Sequence, residues 1–368
     1  MPSQGGGSSH EVSGVLRQTW RSYEQTFIQR DGRVIDPQRG GVTTSEGQSY
    51  AMLRATWMDD PGEFQTVWRW TQANLQVRQD HLFGYLWGQN QSGQWTLLDP
   101  SSATDADEDI ALALVFAGRR WHNDGYLSQA RQVIADVWDV EVGETGGSPY
   151  LTAGNWARTA VPGGLVLNPS YLSPAAYHVF ASLDHAHPWR SLVDTSFRAL
   201  RTCSQASLGT EGSSGLPPNW CVLRGDAPSQ YQGQADSSGY GYDAFRTMWR
   251  VALDAIWFHD RQAVDYLRGA GAFLRTRWHH DHRLASRYGH DGRAVAGQED
   301  PTVYGGDVGA FIVTDSTEAR AVMRQKLLPA EHSDGSTAYF GDRQNYFEQN
   351  WVWFGSALTA NRLPDLAA

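Results

Sequence analysis

Three acidic residues stand at the expected starts of helices and beside aromatic residues: Glu46 in TTSEGQSYAM, Asp105 in SATDADEDIA and Asp243 in GYGYDAFRTMWR. The helix dipole and the free backbone N–H groups stabilise a carboxylate at such a position, so helix capping explains each acid taken alone. Carboxyl groups can also perform general acid and general base catalysis, when one of them holds a proton and another is ionised.

The three acids indicate more together than separately, because helix ends on one rim of an α-helical barrel can converge on one cleft. Hydrolysis of a glycosidic bond with inversion needs a carboxylic acid that protonates the leaving oxygen and a carboxylate that activates water, about 6.5–9.5 Å apart. Glu46, Asp105 and Asp243 are the residue types that this reaction requires.

The composition limits the possible partners. The net charge of −10 over 368 residues argues against nucleic acids and anionic membranes, because Lys and Arg drive binding to both. Hydrophobic residues make up 40% and charged residues 19%, which is typical of a folded protein. Sixteen Trp and fifteen Tyr could stack on sugar rings or fill the core. The sequence has no run of about 18 apolar residues, so we expect no membrane insertion.

We expect one large domain over residues 13–363, because no Pro-rich linker or charge block divides it. The Gly/Ser-rich start predicts a flexible tail over residues 1–12 and lacks the pattern of a signal peptide. Residues 364–368 are expected to form a C-terminal tail. Cys203 and Cys221 form either one disulfide or two free thiols.

Helical periodicity recurs in twelve segments that are separated by Gly, Pro, Asn and Asp clusters. At the start of one, Ser45 and Gln48 predict a capping box. Another contains IALALVFA, which is apolar on nearly all sides and typical of a buried helix in the inner ring of a double-layered α/α barrel. The sequence therefore predicts an all-α fold. The segments are 14–28, 45–58, 61–76, 107–121, 124–138, 173–183, 188–202, 243–258, 260–276, 304–313, 315–327 and 344–361.

Three long insertions, 139–172, 203–242 and 277–303, lack strong helical periodicity. Long loops in a compact domain are usually functional or disordered, and these could roof a groove over the helix ends. Two runs in the first insertion, SPYLTAG and GGLVLNPSY, predict short strands that could form a hairpin.

Four segments carry a family resemblance. The run ATDADEDIALALVFAGRRW resembles the signature of glycoside hydrolase family 8, and DGRVIDPQRGGVTTSEGQSYAM resembles the acid-bearing segment of cellulases from cellulose-synthesis operons. NPSYLSPAAY and GYDAFRTMWR match two further family segments in the same order. The resemblance spans about residues 14–360 and implies an inverting enzyme with an (α/α)6 barrel.

The resemblance also implies roles for single residues. It implies that Glu46 is the general acid, that Asp243 is the general base and that Asp105 binds the sugar at the cleavage point and favours its distorted ring form. Tyr171 is implied to contact the same sugar. Arg246, one helical turn after Asp243, is expected to belong to the substrate-binding site and to keep that carboxylate ionised and oriented.

Three further aromatic residues are candidates for stacking on sugar rings. They are Tyr242, directly before Asp243, Trp87 in YLWG, and Tyr339. Each could equally pack in the core.

The similarity to cellulose-operon enzymes predicts cleavage of internal bonds in a β-1,4-linked glucan by a secreted or periplasmic monomer, with no cofactor and no metal. A β-1,4-xylanase or a reducing-end xylo-oligosaccharide hydrolase is the alternative, since one scaffold serves several substrates. A carbohydrate-binding protein on an inactive hydrolase scaffold is the alternative from another class. The presence of both Glu46 and Asp243 argues against it.

Metal-dependent interpretations fit less well. Asp105, Asp107 and Asp109 alternate as in a calcium loop, but Ile110 and Phe116 stand where that loop needs Gly and Glu. A magnesium-dependent isoprenoid cyclase would need basic residues for a diphosphate and leaves the other two acidic segments unexplained. The run WHHDH falls in a polar loop, where solvated histidines are more typical than a metal site.

Overall fold

The computed structural model describes residues 6–210, 212–333 and 337–368. Its α-helices are α1 (Gly6–Phe27), α2 (Ser45–Met58), α3 (Pro61–Asn74), α4 (Thr104–Arg120), α5 (Asp124–Asp136), α6 (Pro174–Phe180), α7 (Trp189–Gln205), α8 (Arg246–Trp257), α9 (Arg261–Ala270), α10 (Ala272–Asp281), α11 (Pro301–Asp307), α12 (Gly309–Ile312), α13 (Ser316–Val322) and α14 (Tyr346–Thr359). Its short strands are β1 (Thr43–Thr44), β2 (Leu86–Gln89), β3 (Trp95–Asp99), β4 (Val142–Thr145), β5 (Ser148–Leu151), β6 (Leu165–Leu167), β7 (Cys221–Arg224), β8 (Ala227–Ser229), β9 (Arg287–Tyr288), β10 (Ala294–Ala296), β11 (Glu331–Ser333) and β12 (Ala338–Phe340).

Six helices form a closed inner ring. The ring runs α2, α4, α6, α8, α11 and α14, and α14 packs back against α2. An outer helix packs on five of them: α3 on α2, α5 on α4, α7 on α6, α9 on α8 and α1 on α14. Helix α13 packs on α12 and α14. The (α/α)6 barrel predicted from the sequence is therefore confirmed.

Burial explains which helices are inner. In α4 every residue from Thr104 to Gly118 is buried, including the whole apolar run that the sequence placed in an inner ring. Outer helix α7 is different, because Arg190, Asp194 and Arg198 recur one turn apart and are exposed while the other face is buried. A helix with one polar stripe can face solvent, whereas a helix without one must be enclosed.

Two glycines allow α11 and α14 to pack with their backbones in contact. A Cβ atom at Gly305 would overlap the carbonyl oxygen of Trp351, and one at Gly355 would overlap the backbone of Gly305. This close approach lets the short helix α11 complete the inner ring.

The helix boundaries differ from the predicted ones at a few places. Segment 45–58 matches α2, but segment 260–276 is divided at Gly271 into α9 and α10. A Cβ atom at Gly271 would lie 2.8 Å from Ala310 Cβ, so this break permits close packing against α12. The N-terminal tail expected over residues 1–12 overlaps α1 from Gly6 onward, and its first five residues lie outside the described residues.

The capping box predicted at the start of α2 is wrong. Thr44 caps this helix, because its Oγ1 accepts a hydrogen bond from the Gly47 backbone N–H at 3.0 Å. Gln48 instead accepts a hydrogen bond from the Val34 backbone N–H at 2.6 Å, which ties α2 to the preceding loop. The side chain of Gln48 is therefore used for tertiary packing and not for the cap.

The long insertions contain small sheets. SPYLTAG does form a strand, β5, but it pairs with β4, and the strand in GGLVLNPSY, β6, pairs with β7. The two strands thus belong to different sheets, and the prediction that they form a hairpin with each other is wrong. Cys203 and Cys221 form a disulfide that joins the end of α7 to β7.

The chain ends lie against the barrel. One hydrophobic core extends from Val12 to Leu363. The expected C-terminal tail contacts this core, since Trp57 Nε1 donates to the Pro364 carbonyl oxygen at 3.1 Å and Leu366 packs against it. Within the described ranges, every helix is too short or too polar to cross a bilayer.

Candidate active site

The first turns of α2 and α4 and the residues before α8 meet at one rim of the barrel, around a cleft of about 430 Å³. Two of the three long insertions supply part of its wall. The cleft is lined by Glu46, Tyr85, Asp99, Ser101, Ser102, Ala103, Asp105, Ala153, Trp156, Tyr171, Trp220, Gln234, Asp243 and Arg246.

Arg246 connects the three acids that the sequence singled out. Its Nη1 donates to Glu46 Oε2 and to Asp105 Oδ2, each at 2.9 Å. Its Nη2 donates to Asp243 Oδ1 at 2.8 Å. The guanidinium is buried and lies over the Tyr171 ring, with 5.3 Å from Cζ to the ring centroid. One cation therefore orients three carboxyl groups around a single point.

Glu46 lies in the first turn of α2 and has a second donor. Tyr346, the first residue of α14, donates its hydroxyl to Glu46 Oε1 at 2.8 Å. The side chain is 18% exposed, so it keeps access to the cleft. Both oxygens are thus positioned by neighbours on other inner helices.

Asp243 is the most accessible of the three acids. Its side chain is 36% exposed, compared with 3% for Asp105. Trp220 Nε1 donates to Asp243 Oδ2 at 3.1 Å, while Arg246 holds the other oxygen. Two donors therefore fix both oxygens of this carboxyl group, and it still faces the cleft.

Asp105 is buried at the start of α4. Burial raises the pKa of this carboxyl group above its usual range, and the neighbouring Glu46 raises it further, whereas Arg246 lowers it. Deeper along the same helix, Asp109 forms a two-point ion pair with Arg250, at 2.7 and 2.8 Å. This second pair places another positive charge behind Asp105.

The alternating acids of α4 do not converge on one cation. Asp105 faces Arg246, Asp107 accepts a hydrogen bond from the Phe83 backbone N–H at 2.9 Å, and Asp109 binds Arg250. A calcium loop needs these oxygens around one ion. Arg246 supplies the positive charge at the centre of the cleft.

Aromatic residues that the sequence analysis missed form much of the wall. Trp220 contacts the rings of Trp156 and Tyr231, with centroids 6.1 and 5.9 Å apart, and also Tyr171 at 6.0 Å. Trp156 and Trp220 lie in the irregular insertions, where no periodicity indicates which side chains point inward. Their position next to Gly, Pro and Asn was the only available signal.

The structure does not bring every predicted site residue to this cleft. The Tyr242 hydroxyl binds Asp300, and Trp87 packs between Trp70 and Trp95, with centroids 5.2 and 4.9 Å away. Tyr339 lies in β12. These three residues are absent from the cleft lining, while Tyr171 and Arg246 belong to it. The stacking of Tyr242, Trp87 and Tyr339 on sugar rings remains a prediction.

Comparisons with known proteins identify relatives over nearly the whole chain. The model of glycosyl hydrolases family 8 matches residues 9–352. An endoglucanase of Salmonella typhi is 30% identical over 356 residues, which covers 94% of this chain and 90% of the relative.

Solved structures show the same fold. An endo-1,4-D-glucanase from Vibrio fischeri ES114 aligns with a TM-score of 0.78 at 21% identity, over 92% of this chain and 93% of that one. A cold-adapted family 8 xylanase aligns with a TM-score of 0.76 at 19% identity, over 96% of this chain and 91% of that one. At these identities the likeness concerns the fold.

Proposed function

The chain belongs to glycosyl hydrolase family 8, and from that membership we propose that Glu46 and Asp243 hydrolyse internal β-1,4-glucosidic bonds of cellulose or a related β-glucan with inversion. The endoglucanase name of a relative that aligns over nearly its full length supports the substrate class. The observation that carries the mechanism is the convergence of three carboxyl groups on Arg246 at the cleft.

In the proposed reaction, the Glu46 carboxyl group donates its proton to the glycosidic oxygen while the bond from that oxygen to the anomeric carbon breaks. A water molecule attacks the anomeric carbon from the opposite face and gives a proton to the Asp243 carboxylate. Each turnover leaves Glu46 ionised and Asp243 protonated, and exchange with solvent restores both. The exposure of Asp243 to the cleft suits its contact with that water.

Arg246 has a positioning role in this proposal. Its Nη2 donates to Asp243 Oδ1 at 2.8 Å and so fixes the orientation of the proposed general base. The same guanidinium fixes Glu46 and Asp105, so the acid, the base and the sugar-binding carboxyl group keep one relative geometry. Asp105 and Tyr171 are proposed to contact the sugar at the cleavage point.

The cleft walls suit a neutral polysaccharide. Trp156 and Trp220 offer flat aromatic faces on which sugar rings can stack. A β-1,4-xylan is the second candidate substrate, because a family 8 xylanase shares this fold over nearly the whole chain.

We place this enzyme outside the cytoplasm. The disulfide between Cys203 and Cys221 supports this, because disulfides form and persist mainly in oxidising compartments such as the periplasm. A monomer is sufficient for catalysis, since one chain supplies all three carboxyl groups and the guanidinium.

The experiment that tests this function compares wild type with Glu46→Gln on cello- and xylo-oligosaccharides and on carboxymethylcellulose. We expect wild type to release reducing ends and lower the viscosity of carboxymethylcellulose early, and Glu46→Gln to lose about 10³-fold in kcat because Gln cannot donate a proton. Asp265→Asn on the exposed face of α9 is the matched control, and it should behave as wild type. Equal activity of wild type and Glu46→Gln would show that Glu46 is not the general acid. Activity of wild type on xylo-oligosaccharides alone would make xylan the substrate in place of a β-glucan.

A further inference from the structure

A second polar cluster lies away from the cleft, around the distal part of α8. Asp254 is about 12 Å along this helix from Arg246, because it lies eight positions later at 1.5 Å per residue. His178 projects from α6, and Asp260 stands at the start of α9. A ligand atom of each of these three side chains lies within 4.8 Å of the other two. Three different elements thus contribute one imidazole and two carboxyl groups.

The distances in this cluster fit ligands of a shared ion. His178 Nε2 lies 3.5 Å from Asp254 Oδ1 and 3.7 Å from Asp260 Oδ2. Both exceed the usual N–H···O hydrogen-bond range of about 2.7–3.2 Å. Two ligands of a tetrahedral zinc ion, each about 2.0–2.1 Å from the metal, are about 3.4 Å apart.

Asp254 is the least satisfied member of the cluster. Its side chain is fully buried, and among the described residues neither of its oxygens has a hydrogen-bond partner. A buried carboxyl group in this state is costly unless a proton or a cation compensates it. His178 Nε2 has no hydrogen-bond partner among the described residues either, although it lies within ion-pair distance of both carboxyl groups. A metal ion could use such convergent atoms as ligands.

The surroundings orient the other two side chains. The Asp260 Oδ1 atom accepts a hydrogen bond from the Gln262 backbone N–H at 2.7 Å, which leaves Oδ2 turned to the cluster. The His178 ring packs against Phe258, with centroids 4.6 Å apart. Such outer contacts fix ligand directions in metal sites.

We propose that His178, Asp254 and Asp260 bind one divalent transition-metal ion of the zinc class, with water completing its coordination on the open side. One nitrogen and two carboxylate ligands suit zinc, whereas magnesium and calcium prefer oxygen alone. The ion joins α6 to α8 and α9 and so stabilises the barrel. Because the metal site is distant from Arg246, the ion takes no part in hydrolysis. The metal site can therefore be tested independently of the proposed hydrolase function.

The test titrates zinc chloride into the metal-stripped full-length protein by calorimetry. We expect one zinc ion per chain for wild type, and affinity at least about 100-fold lower for His178→Gln and for Asp260→Asn, because each removes one ligand. His280→Gln is the matched control, since His280 is an exposed histidine 2.6 Å from Asp281 and should leave binding unchanged.

Thermal unfolding supplies the second readout, with circular dichroism to verify that each variant is folded. Zinc should raise the midpoint of wild type and of His280→Gln, and it should not raise the midpoint of His178→Gln or Asp260→Asn. The proposal is overturned if wild type binds no stoichiometric zinc, or if both ligand variants bind zinc as tightly as wild type. Hydrolysis rates should be equal in wild type and in both ligand variants.

Discussion

Two buried arginines, Arg246 at the cleft and Arg54 inside the barrel wall, show two ways of holding a guanidinium away from water. Burial acts to lower the pKa of Arg246, but Tyr50 and the three carboxyl groups that it contacts raise it well above its usual value. Arg54 lies among the rings of Trp20, Tyr23 and Trp353, with Cζ 5.1, 4.4 and 4.9 Å from their centroids.

The two regions differ in the groups that surround the guanidinium: carboxyl groups around Arg246 and aromatic rings around Arg54. Arg54 donates one hydrogen bond, at 3.0 Å, to Asn350, and burial lowers its pKa to about 9. Aromatic faces stabilise a cation without taking part in proton transfer. Carboxyl groups stabilise a cation and can also exchange protons. We therefore expect Arg246 to serve catalysis and Arg54 to serve stability.

The largest expected effect is that of Arg246→Lys on activity. Lysine keeps the charge but cannot reach three carboxyl groups at once, so Asp243 should lose its orientation. We predict a loss of about 10³-fold in kcat, similar to loss of a general base. Steady-state kinetics on cellopentaose measure it. A variant with more than one tenth of the wild-type kcat would make the shared guanidinium dispensable and weaken the contrast with Arg54.

The next effect is that of Arg54→Ala on stability. It removes the contacts with three rings and the hydrogen bond to Asn350 and leaves a cavity, so we predict a loss of about 3 kcal/mol in the free energy of unfolding. Urea unfolding at pH 7 measures this loss. The kcat of the folded variant should stay within about two-fold of wild type. Arg268→Ala, at an exposed position of α9, is the control and should change neither quantity. A stable Arg54→Ala protein with impaired kcat would reverse the assigned roles.

The smallest effect concerns Asp307, a buried carboxyl group that forms no ion pair with any residue that the structure describes. Burial raises the pKa of Asp307 to about 8, although Tyr240 donates a hydrogen bond to it. Between the unfolded pKa of about 4 and pH 8, the folded state holds a proton that the unfolded state has released. Asp307 therefore contributes stability at low pH, and this contribution is lost as the pH rises through about 8.

Asp307→Asn cannot ionise, so its unfolding free energy should decline less than that of wild type between pH 6 and pH 9, by about 2–3 kcal/mol. Urea unfolding at four pH values compares the two slopes. Parallel slopes would mean that Asp307 is already ionised at pH 6 and would contradict this prediction.

Much of the barrel could be predicted from the sequence, because the buried faces of its helices require apolar residues at helical spacing. Segment 45–58 and the apolar run after Asp109 were assigned correctly on that basis. The pairing of β5 with β4 and of β6 with β7 was not, because alternation identifies a strand but not its partner. The break at Gly271 depends on a helix distant in sequence and leaves no local signal beyond the glycine.

The active site also has features that the sequence predicts and features that it does not. Glu46, Asp105 and Asp243 were identified from helix starts and family motifs, and the structure brings them to one guanidinium. The sharing of Arg246 among all three could not be predicted, because helical spacing indicates only its contact with Asp243. Trp220 was missed because its loop has no period.

The most direct test of the central claim is proton NMR of the products during the first minutes of cellopentaose hydrolysis by wild type. Inversion by separate acid and base groups predicts that the newly formed reducing end appears first as the α-anomer and reaches the equilibrium mixture later by mutarotation. Initial appearance of the β-anomer would contradict the account, because it would require a covalent intermediate in place of a water molecule activated by Asp243.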